Sequence, residues 1–364
     1  MKRSEQFITV PLDEGLIVAR RDGDRLFVMN GSARFMWEKR SEGVADADIP
    51  RLTAMHYGID VEQAREDFGK TLLRWQAEGL AEPQRNCRHY SIGGVPFDVH
   101  YPNMALESVV APIFSHLESE RNAENGRSRK DFELAADGAQ FVLRADGIEI
   151  LKCGDIDALI DKLTLSVVMH AEDSIKGLVS IHAAAIGTRC HCVLVPGASG
   201  SGKSTLAAGM LASERISYLT DDISPLDGAS LRIVPVPGAL VLKSGSWQAL
   251  ESLLPEVSGL AIRRRRGQEV RYWSPPVAQV AAGPLPVTAA VFPRYESGRK
   301  VELGRLSPLE GLSRLIAAPC VVSAPITIET IDRISGWARA IPFYTLAYGS
   351  LADATQTVED LLGS

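Results

Sequence analysis

Two short stretches carry the residues best suited to chemistry. Gly197-Ala198-Ser199-Gly200-Ser201-Gly202-Lys203-Ser204 fits the pattern G-x-x-x-x-G-K-[ST] at every fixed position. In such a loop the backbone N–H groups cradle phosphate oxygens, the lysine reaches the β- and γ-phosphates and the hydroxyl ligates Mg²⁺. Asp221-Asp222 follows, and adjacent carboxylates suit one metal ligand and one proton acceptor. The stretches predict a site for ATP and Mg²⁺.

The elements around these residues are those that the motif requires. The apolar run Val193-Leu194-Val195 predicts a strand before the loop, and Thr205 to Ser213 predicts a helix after it. Ile216 to Thr220 predicts a second strand, which ends at the acidic pair. If the two strands lie side by side in a parallel sheet, the carboxylates sit next to the phosphates. The alternatives are a glycine-rich surface turn and a solvated Asp-Asp turn.

The predicted site residues fall into three groups. We expect Lys203, Asp221, Asp222 and His182 to be catalytic, and Ser204 and Asp221 to hold the metal. His182 lies on a predicted strand one hairpin before the loop, although a lone histidine is more often a core residue. The predicted phosphate-binding residues are Gly197, Ala198, Ser199, Gly200, Ser201, Gly202, Lys203, Ser204 and Thr205.

Length and composition bound the class of protein. With 364 residues, 45% hydrophobic and 23% charged, the chain can form two or three globular domains. No apolar run approaches the length of a membrane span, and the N-terminus does not have a signal-peptide pattern. A net charge of −6 argues against general nucleic-acid binding. Five scattered cysteines give no disulfide framework, and Cys190-His191-Cys192 lacks a second ligand pair, so we expect a cytoplasmic protein.

The N-terminal part reads as a small separate module. Strands are predicted between residues 6 and 30, around the turn signal Asp22-Gly23-Asp24. Three helices follow, the first capped by Ser32, the second over Asp46 to Tyr57 and the third over Val61 to Glu78. A linker at Glu82 to Asn86 separates this domain, residues 1–85, from a second domain, residues 86–364.

The order of these pieces resembles the PqqD-like family of peptide-recognition domains over residues 7 to 83. The matching stretches are Asp22-Gly23 before Leu26 to Asn30, Ala33 to Trp37, Tyr57 to Asp60, and the helix that ends in Glu78-Gly79-Leu80. The resemblance implies a winged-helix-like α+β domain that binds a leader peptide at a free strand edge and against the third helix. Two alternatives are a DNA-binding winged helix and a docking module. Residues 1–85 hold 13 Lys and Arg against 15 Asp and Glu, which disfavours DNA.

The second domain resembles the HPr serine kinases, and within them the HPr-kinase-related branch. His182-Ala183-Ala184-Ala185, the phosphate loop and Asp221-Asp222 occur in the family's order and at its short spacings. The resemblance covers about residues 88 to 364. It implies a phosphoenolpyruvate-carboxykinase-like α/β fold, phosphorylation of a hydroxyl by ATP, and a homo-oligomer. It places Lys203 and Ser204 on phosphate and Mg²⁺, Asp221 and Asp222 as metal ligand and base in either order, and His182 near the transferred phosphoryl.

One departure from the family limits what carries over. The arginine- and glycine-rich second signature of true HPr kinase/phosphorylases is absent from the sequence, which puts phosphorylase activity and HPr as substrate in doubt. Other cations are candidates for stabilising the transferred phosphoryl: Lys243, Arg271 and Arg294. The run Arg263 to Arg266 reads as a solvated loop or as an arm that contacts substrate or nucleotide.

The sequence therefore predicts a two-module cytoplasmic kinase. The first module holds a precursor peptide or small protein, and the second transfers the γ-phosphoryl of ATP to a Ser or Thr hydroxyl on it. Such a protein would act in the modification of ribosomally made peptides. Tethering the substrate makes the approach of the hydroxyl effectively intramolecular. The alternatives are a small-molecule kinase with an N-terminal assembly module, and a nucleotide-sensing protein without transfer activity.

Overall fold

The computed structural model of the protein describes residues 7–21, 25–81, 86–120, 128–137, 140–198, 200–317, 320–322 and 326–363. These residues form a mixed α/β protein with several sheets, which confirms the predicted class. The chain divides into two compact units. The first falls within Met1–Arg88, Asp98–Pro112 and Asp131–Ile160, and the second within His89–Phe97, Ile113–Lys130 and Asp161–Ser364. Most of the predicted linker, residues 82–85, lies outside the described residues.

The first unit begins with an antiparallel sheet of three strands and three helices. The elements are β1 (Phe7–Leu12), β2 (Gly15–Arg20), β3 (Leu26–Met29), α1 (Gly31–Ser41), α2 (Ile49–Tyr57) and α3 (Val61–Ala77). The strands pair in the order β1-β2-β3, so that β1 and β3 are the edges among the described residues. The predicted strands and helices are therefore present, while the turn at residues 22–24 lies outside the described part of the chain.

The cap of the first helix differs from the prediction. Asn30, not Ser32, is the N-cap of α1, and its side-chain oxygen accepts from the backbone N–H of Ala33 at 3.0 Å. The Ser32 hydroxyl instead donates to the same Asn30 oxygen at 3.1 Å. The helix thus begins at Gly31, two residues earlier than a Ser32 cap would allow.

The two faces of the three-stranded sheet have different surroundings. Leu16, Val18 and Met29 are buried with Phe68 and Trp75 of α3 in one core. The alternation of side chains along each strand puts a second apolar set on the opposite face. We call this set the outer face, and its members are between 46% and 73% exposed: Ile8, Val10, Leu12, Leu26 and Val28.

The middle of the chain adds a second sheet and two helices. Five strands pair in the order β4-β5-β6-β7-β8: β4 (Asn86–Ile92), β5 (Val95–Tyr101), β6 (Lys130–Asp137), β7 (Gln140–Ala145) and β8 (Ile148–Cys153). The helices are α4 (Met104–Val110), followed by a 3₁₀ helix over Ala111–Leu117, and α5 (Ile156–Ile175). Within the first unit, Gln76 of α3 donates to the carbonyl of Pro102, just before α4, at 3.0 Å.

The rest of the second unit is built around a ten-stranded sheet. Its helices are α6 (Lys203–Leu211), α7 (Ser244–Leu250), α8 (Pro308–Ala317), α9 (Ile328–Ala340) and α10 (Leu351–Gly363). Its strands are β9 (Val179–Ile181), β10 (Ala183–Gly187), β11 (Cys192–Pro196), β12 (Ser217–Thr220), β13 (Ser224–Leu226), β14 (Arg232–Ile233), β15 (Leu240–Lys243), β16 (Arg263–Arg265), β17 (Gln268–Trp273), β18 (Leu285–Tyr295), β19 (Glu302–Leu306), β20 (Cys320–Val322) and β21 (Phe343–Tyr348). Of these, β15, β16 and β17 form a separate small sheet.

Six strands of the large sheet position the site, in the order β12-β10-β11-β18-β21-β19. The expectation that the strand before the loop and the strand before the acidic pair are neighbours is wrong, because β10 lies between them. Both strands pair antiparallel with β10 and so run in the same direction. Their carboxyl ends therefore still reach the same edge of the sheet.

Both faces of this sheet are covered, as the continuous apolar sequence of β11 requires. Val193 and Val195 belong to one core with Leu206 and Met210 of α6. Cys192 and Leu194 point to the opposite face and a second core. Among the described residues, none of the helices is both long enough and apolar enough to cross a membrane.

Candidate active site

One edge of the large sheet brings the predicted chemical residues together. β11, β12, β18 and β21 end at this edge, and β10, which runs the opposite way, begins there. The phosphate loop (residues 197–204) follows β11, Asp221-Asp222 follows β12, and His182 precedes β10. They border one cavity of about 760 Å³ within the second unit. This volume lies in the range of ligand-binding pockets.

The phosphate loop has the backbone geometry that its glycines predict. Gly200 and Gly202 have φ angles of 89° and 99°, which residues other than glycine rarely adopt. At Gly202 a Cβ would also lie 2.6 Å from the hydroxyl of Tyr348. Gly202 is the N-cap of α6, so the free N–H groups of that helix begin at the loop, where an anion would be stabilised. Ser199 lies outside the described residues.

Lys203 is held inside the loop rather than extended into solvent. It is only 7% exposed, and its ammonium donates to the carbonyl of Gly197 at 2.6 Å and of Ala198 at 3.3 Å. Burial lowers the pKa of Lys203, although the charges of Asp221 and Asp222 oppose that shift. The same ammonium lies 3.4 Å from Nε2 of His182. Lys203 is therefore placed between the loop and the acidic pair.

Asp221 is the less exposed member of the acidic pair. Burial raises the pKa of its carboxyl group to about 7, and the charge of Asp222 adds to this rise. The hydroxyl of Ser204, the charge of Lys203 and the backbone of Val241 act in the opposite direction. One carboxyl oxygen, Oδ1, is buried without a hydrogen-bond partner among the described residues.

The Asp221 and Ser204 side chains fit the predicted Mg²⁺. Mg²⁺ is bound through carboxylate and hydroxyl oxygens, and these two side chains supply one of each on the border of the same cavity. A buried carboxylate oxygen without a partner is costly unless a cation or donor satisfies it. A cation bound between these side chains would satisfy Oδ1.

Asp222 differs from its neighbour in exposure and in partners. Its side chain is 51% exposed, and one carboxylate oxygen lies 3.0 Å from Nδ1 of His182. Nδ1 of His182 also lies 3.0 Å from the backbone carbonyl of Asp222. The interaction with His182 is the main reason why the pKa of Asp222 is lowered, and the positive charges of Arg265 and Lys203 contribute. Asp222 is thus an accessible carboxylate that stays ionised, oriented by a histidine.

The small sheet β15-β17-β16 forms a wall of the cavity that the sequence did not predict. Alternating side chains on one of its faces border the cavity: Val241, Lys243, Arg265, Gln268, Val270 and Tyr272. The opposite face packs into the core through Leu240, Leu242 and Trp273. The stretch Leu240 to Lys243 has the apolar character of a strand, whose side chains alternate between two faces. The sequence does not show which of the two faces borders the cavity.

The arginine run is a strand and a tight turn, so its interpretation as a solvated loop is wrong. Arg263–Arg265 is β16, and Arg266-Gly267 turns the chain into β17 with φ angles of 50° and 77°. Both Arg265 and Arg266 border the cavity. Nε of Arg265 donates to Asp161 of α5 at 2.5 Å and makes the only hydrogen bond of that guanidinium to the described residues.

Of the other three candidate cations, only Lys243 borders the cavity. Arg271 lies on the opposite face of the small sheet, with its guanidinium 4.1 Å from the ring centroid of Trp247. Arg294 is 79% exposed and pairs with Glu296 at 2.7 Å. The neighbouring positions 270 and 271 thus face opposite ways, which explains why the sequence could not tell Arg271 from a cavity residue.

The remainder of the cavity is apolar and lies on the side of β12. Its walls come from β4, the 3₁₀ helix and α5: Ile92, Phe114, Leu117, Leu165, Val167 and Val168. Val168 approaches Gly238, whose carbonyl accepts from the Tyr218 hydroxyl on β12 at 2.7 Å. The cavity therefore has an ionic part at the phosphate loop and an apolar part beside the acidic strand.

Eight of the predicted site residues that the structure describes border the same cavity. Gly200, Gly202, Lys203, Ser204 and Thr205 border the cavity, as do His182, Asp221 and Asp222. Gly197 and Ala198 contribute the carbonyls that hold Lys203. The Ser201 hydroxyl is buried without a hydrogen-bond partner in the described part of the chain. Asp161 had no predicted role. For Arg265 and Arg266 the sequence left two alternatives, a solvated loop and an arm that contacts substrate or nucleotide.

Comparison with known proteins adds no assignment. No family model matches the chain. No curated protein matches it either.

Proposed function

We propose that this protein is an ATP-dependent kinase that phosphorylates a Ser or Thr hydroxyl of a peptide or small protein. In this proposal the second unit is HPr-kinase-like, with the fold of the nucleotide-binding half of phosphoenolpyruvate carboxykinase. The N-terminal residues form a PqqD-like domain that holds the leader of a ribosomally made precursor. None of the five cysteines, all of which are described, forms a disulfide, which supports a reducing compartment such as the cytoplasm.

The observation that carries the proposal is the arrangement at one sheet edge. A glycine loop of phosphate-binding geometry, a lysine, a hydroxyl–carboxylate pair and a histidine–carboxylate pair border the same cavity. Each of these groups alone has structural explanations. Together they supply the parts that phosphoryl transfer needs, which are positioning, charge neutralisation and a proton acceptor.

Asp222 is the proposed proton acceptor. As the substrate oxygen forms its bond to the γ-phosphorus, the bond from that phosphorus to the β–γ bridging oxygen breaks and ADP leaves. The hydroxyl proton passes to the Asp222 carboxylate, which is accessible and held by His182. The lowered pKa of Asp222 keeps the carboxylate ionised and able to accept.

Lys203, Lys243, Arg265 and Arg266 bring positive charge to the phosphates. Lys203 needs only to leave two loop carbonyls to reach a β- or γ-phosphate oxygen. Asp161 fixes Arg265 through Nε, which leaves both terminal nitrogens for an anion. Ser204 and Asp221 would hold Mg²⁺, which when bound neutralises phosphate charge.

The N-terminal domain is proposed to bind peptide by adding a strand to its sheet. β1 and β3 are both edge strands among the described residues, and an edge exposes unpaired N–H and C=O groups. The outer face places exposed apolar side chains along both edges. These features support peptide binding over DNA binding, which requires a basic face.

A direct assay tests the kinase proposal. The purified chain is incubated with Mg²⁺, γ-labelled ATP and short peptides encoded beside its gene, and products are identified by mass spectrometry. We expect a product heavier by one phosphoryl group on Ser or Thr, and none with Lys203→Ala. ATP binding without any phosphorylated product would contradict the proposal and favour a nucleotide sensor.

The apolar part of the cavity favours a second candidate, a kinase for a small hydroxyl compound. Ile92, Phe114 and Leu117 are nearly fully buried around it, which suits a compact apolar group better than an extended backbone. A peptide could place one apolar side chain there. Labelling of a small alcohol at the same rate with or without precursor peptide would establish this candidate over the first.

A further inference from the structure

The order of strands at the site edge gives the bound nucleotide a direction. Passing along the edge, the acidic pair comes first, after β12, then His182 before β10, then the phosphate loop after β11. β18 and β21 continue on the far side of the loop and end in Tyr295 and Tyr348. The loop thus separates a carboxylate side from a tyrosine side.

The chemistry of phosphoryl transfer fixes which part of ATP lies on each side. The attacking and leaving oxygens stand roughly in line through the γ-phosphorus. A hydroxyl that gives its proton to Asp222 must approach from the carboxylate side. The leaving ADP, and with it the ribose and base, must then extend to the opposite side, over the ends of β18 and β21.

The tyrosine side has the features of a stacking platform. Tyr295 is 56% exposed, although both it and Tyr348 border the cavity. The two rings meet edge to face, with centroids 5.8 Å apart at 66°. Tyr348 is buried and its hydroxyl packs against Gly202 of the loop, so the pair is fixed relative to the phosphates. An exposed ring held in place by a buried one offers its face to a flat aromatic ligand.

We propose that Tyr295, supported by Tyr348, is the base-stacking residue for the adenine of ATP. The inference rests on the proposed kinase function and adds the orientation of the nucleotide. Stacking on a tyrosine face contributes to the affinity for the base and leaves the affinity for the triphosphate unchanged. The apolar part of the cavity, beside β12, is left to the hydroxyl substrate.

The test compares ligands with and without a base. Affinities for ATP and for inorganic tripolyphosphate are measured by calorimetry, with Mg²⁺, for the full chain and for Y295A, Y295F and K203A. For Y295A we expect the Kd for ATP to rise about tenfold or more, while the Kd for tripolyphosphate stays unchanged. Y295F keeps the ring and should bind both ligands normally. K203A should weaken both.

Three outcomes would overturn the inference. Equal ATP affinity in Y295A and the unchanged chain would show that the base lies elsewhere, with the kinase proposal intact. An equal loss for ATP and tripolyphosphate in Y295A would show that Tyr295 acts only by supporting the loop. Absence of ATP binding by the unchanged chain would overturn the kinase proposal together with this inference.

Discussion

The site edge of the second unit and the outer face of the first unit differ in which groups are buried and which are exposed. At the site, charged groups are drawn inward: Lys203 is 7% exposed and Asp221 has a buried carboxyl oxygen. On the outer face, apolar groups are left outside, with Leu26 and Val28 at 73% and 65% exposure. Each is costly for an isolated chain and sensible for one that binds a ligand there. The difference shows that the two regions depart from the usual burial pattern in opposite ways, one by burying charged groups and the other by exposing apolar groups.

The largest effect is expected from removing the charge of the accessible carboxylate. Asp222→Asn should lower the transfer rate by about 10²- to 10⁴-fold, the usual contribution of a general base. The thermal unfolding midpoint should change little, because the side chain is half-exposed. Asp227→Asn is a matched control, since Asp227 is also an aspartate of lowered pKa but caps Ser230 in a surface turn. Similar rates for the two variants would contradict the role of Asp222.

A second prediction concerns the pH dependence of folding stability that arises from His116, a buried residue of the second unit. Nε2 of His116 donates to the Pro237 carbonyl at 2.6 Å and therefore carries the proton, while Nδ1 is buried without a hydrogen-bond partner among the described residues. Burial lowers the pKa of His116 from 6.5 to about 4. Between these values the unfolded chain binds a proton that the folded chain does not, so stability falls as the pH falls.

The expected loss is about 3 kcal/mol between pH 7 and pH 4 from this residue. His116→Gln keeps a donor for Pro237 and cannot be protonated. Its free energy of unfolding in urea should therefore fall less over the same pH range than that of the unchanged chain. Parallel curves for the two proteins would show that His116 does not titrate as its burial implies.

A third prediction concerns the cationic wall. Arg265→Ala should lower the transfer rate by about 100-fold, as removal of one transition-state donor does. Arg265→Lys should recover little, because a lysine cannot keep the Asp161 contact and also present two nitrogens. Arg264→Ala changes the neighbouring arginine, which points to the other face of the small sheet, and serves as the control. An equal loss for Arg264→Ala would point to disruption of the strand instead.

The smallest expected effect concerns the outer face. Val10→Asp and Val28→Asp place the same charge on the two edge strands, at positions that are 52% and 65% exposed. If a peptide adds to one edge, the variant on that edge should weaken binding about tenfold and the other should not. Fluorescence anisotropy of a labelled precursor peptide measures both. Unchanged affinity in both variants would remove strand addition as the mode of capture.

The sequence predicted those parts of the site that are local. The loop, α6 and the strand before the acidic pair follow from patterns within about 30 residues of one another. The prediction that His182 lies on a strand is wrong, because it lies in a bend between β9 and β10. The place of β10 between β11 and β12 was not predicted. The apolar runs of the three strands are the same whether β11 pairs with β12 directly or both pair with β10, so the sequence does not distinguish the two strand orders. Nor could the sequence show that Asp161 meets Arg265, 104 residues later, since no local pattern links them.

The position of β10 has a last consequence. Adjacent strands lie roughly 4.8 Å apart, so an intervening strand sets the two chain ends that carry the chemistry roughly 10 Å from each other. His182, the residue directly before β10, occupies this interval, with Nε2 3.4 Å from the Lys203 ammonium and Nδ1 3.0 Å from an Asp222 carboxylate oxygen. One imidazole therefore bridges the loop and the acidic pair. Direct pairing of β11 with β12 would leave no room for it.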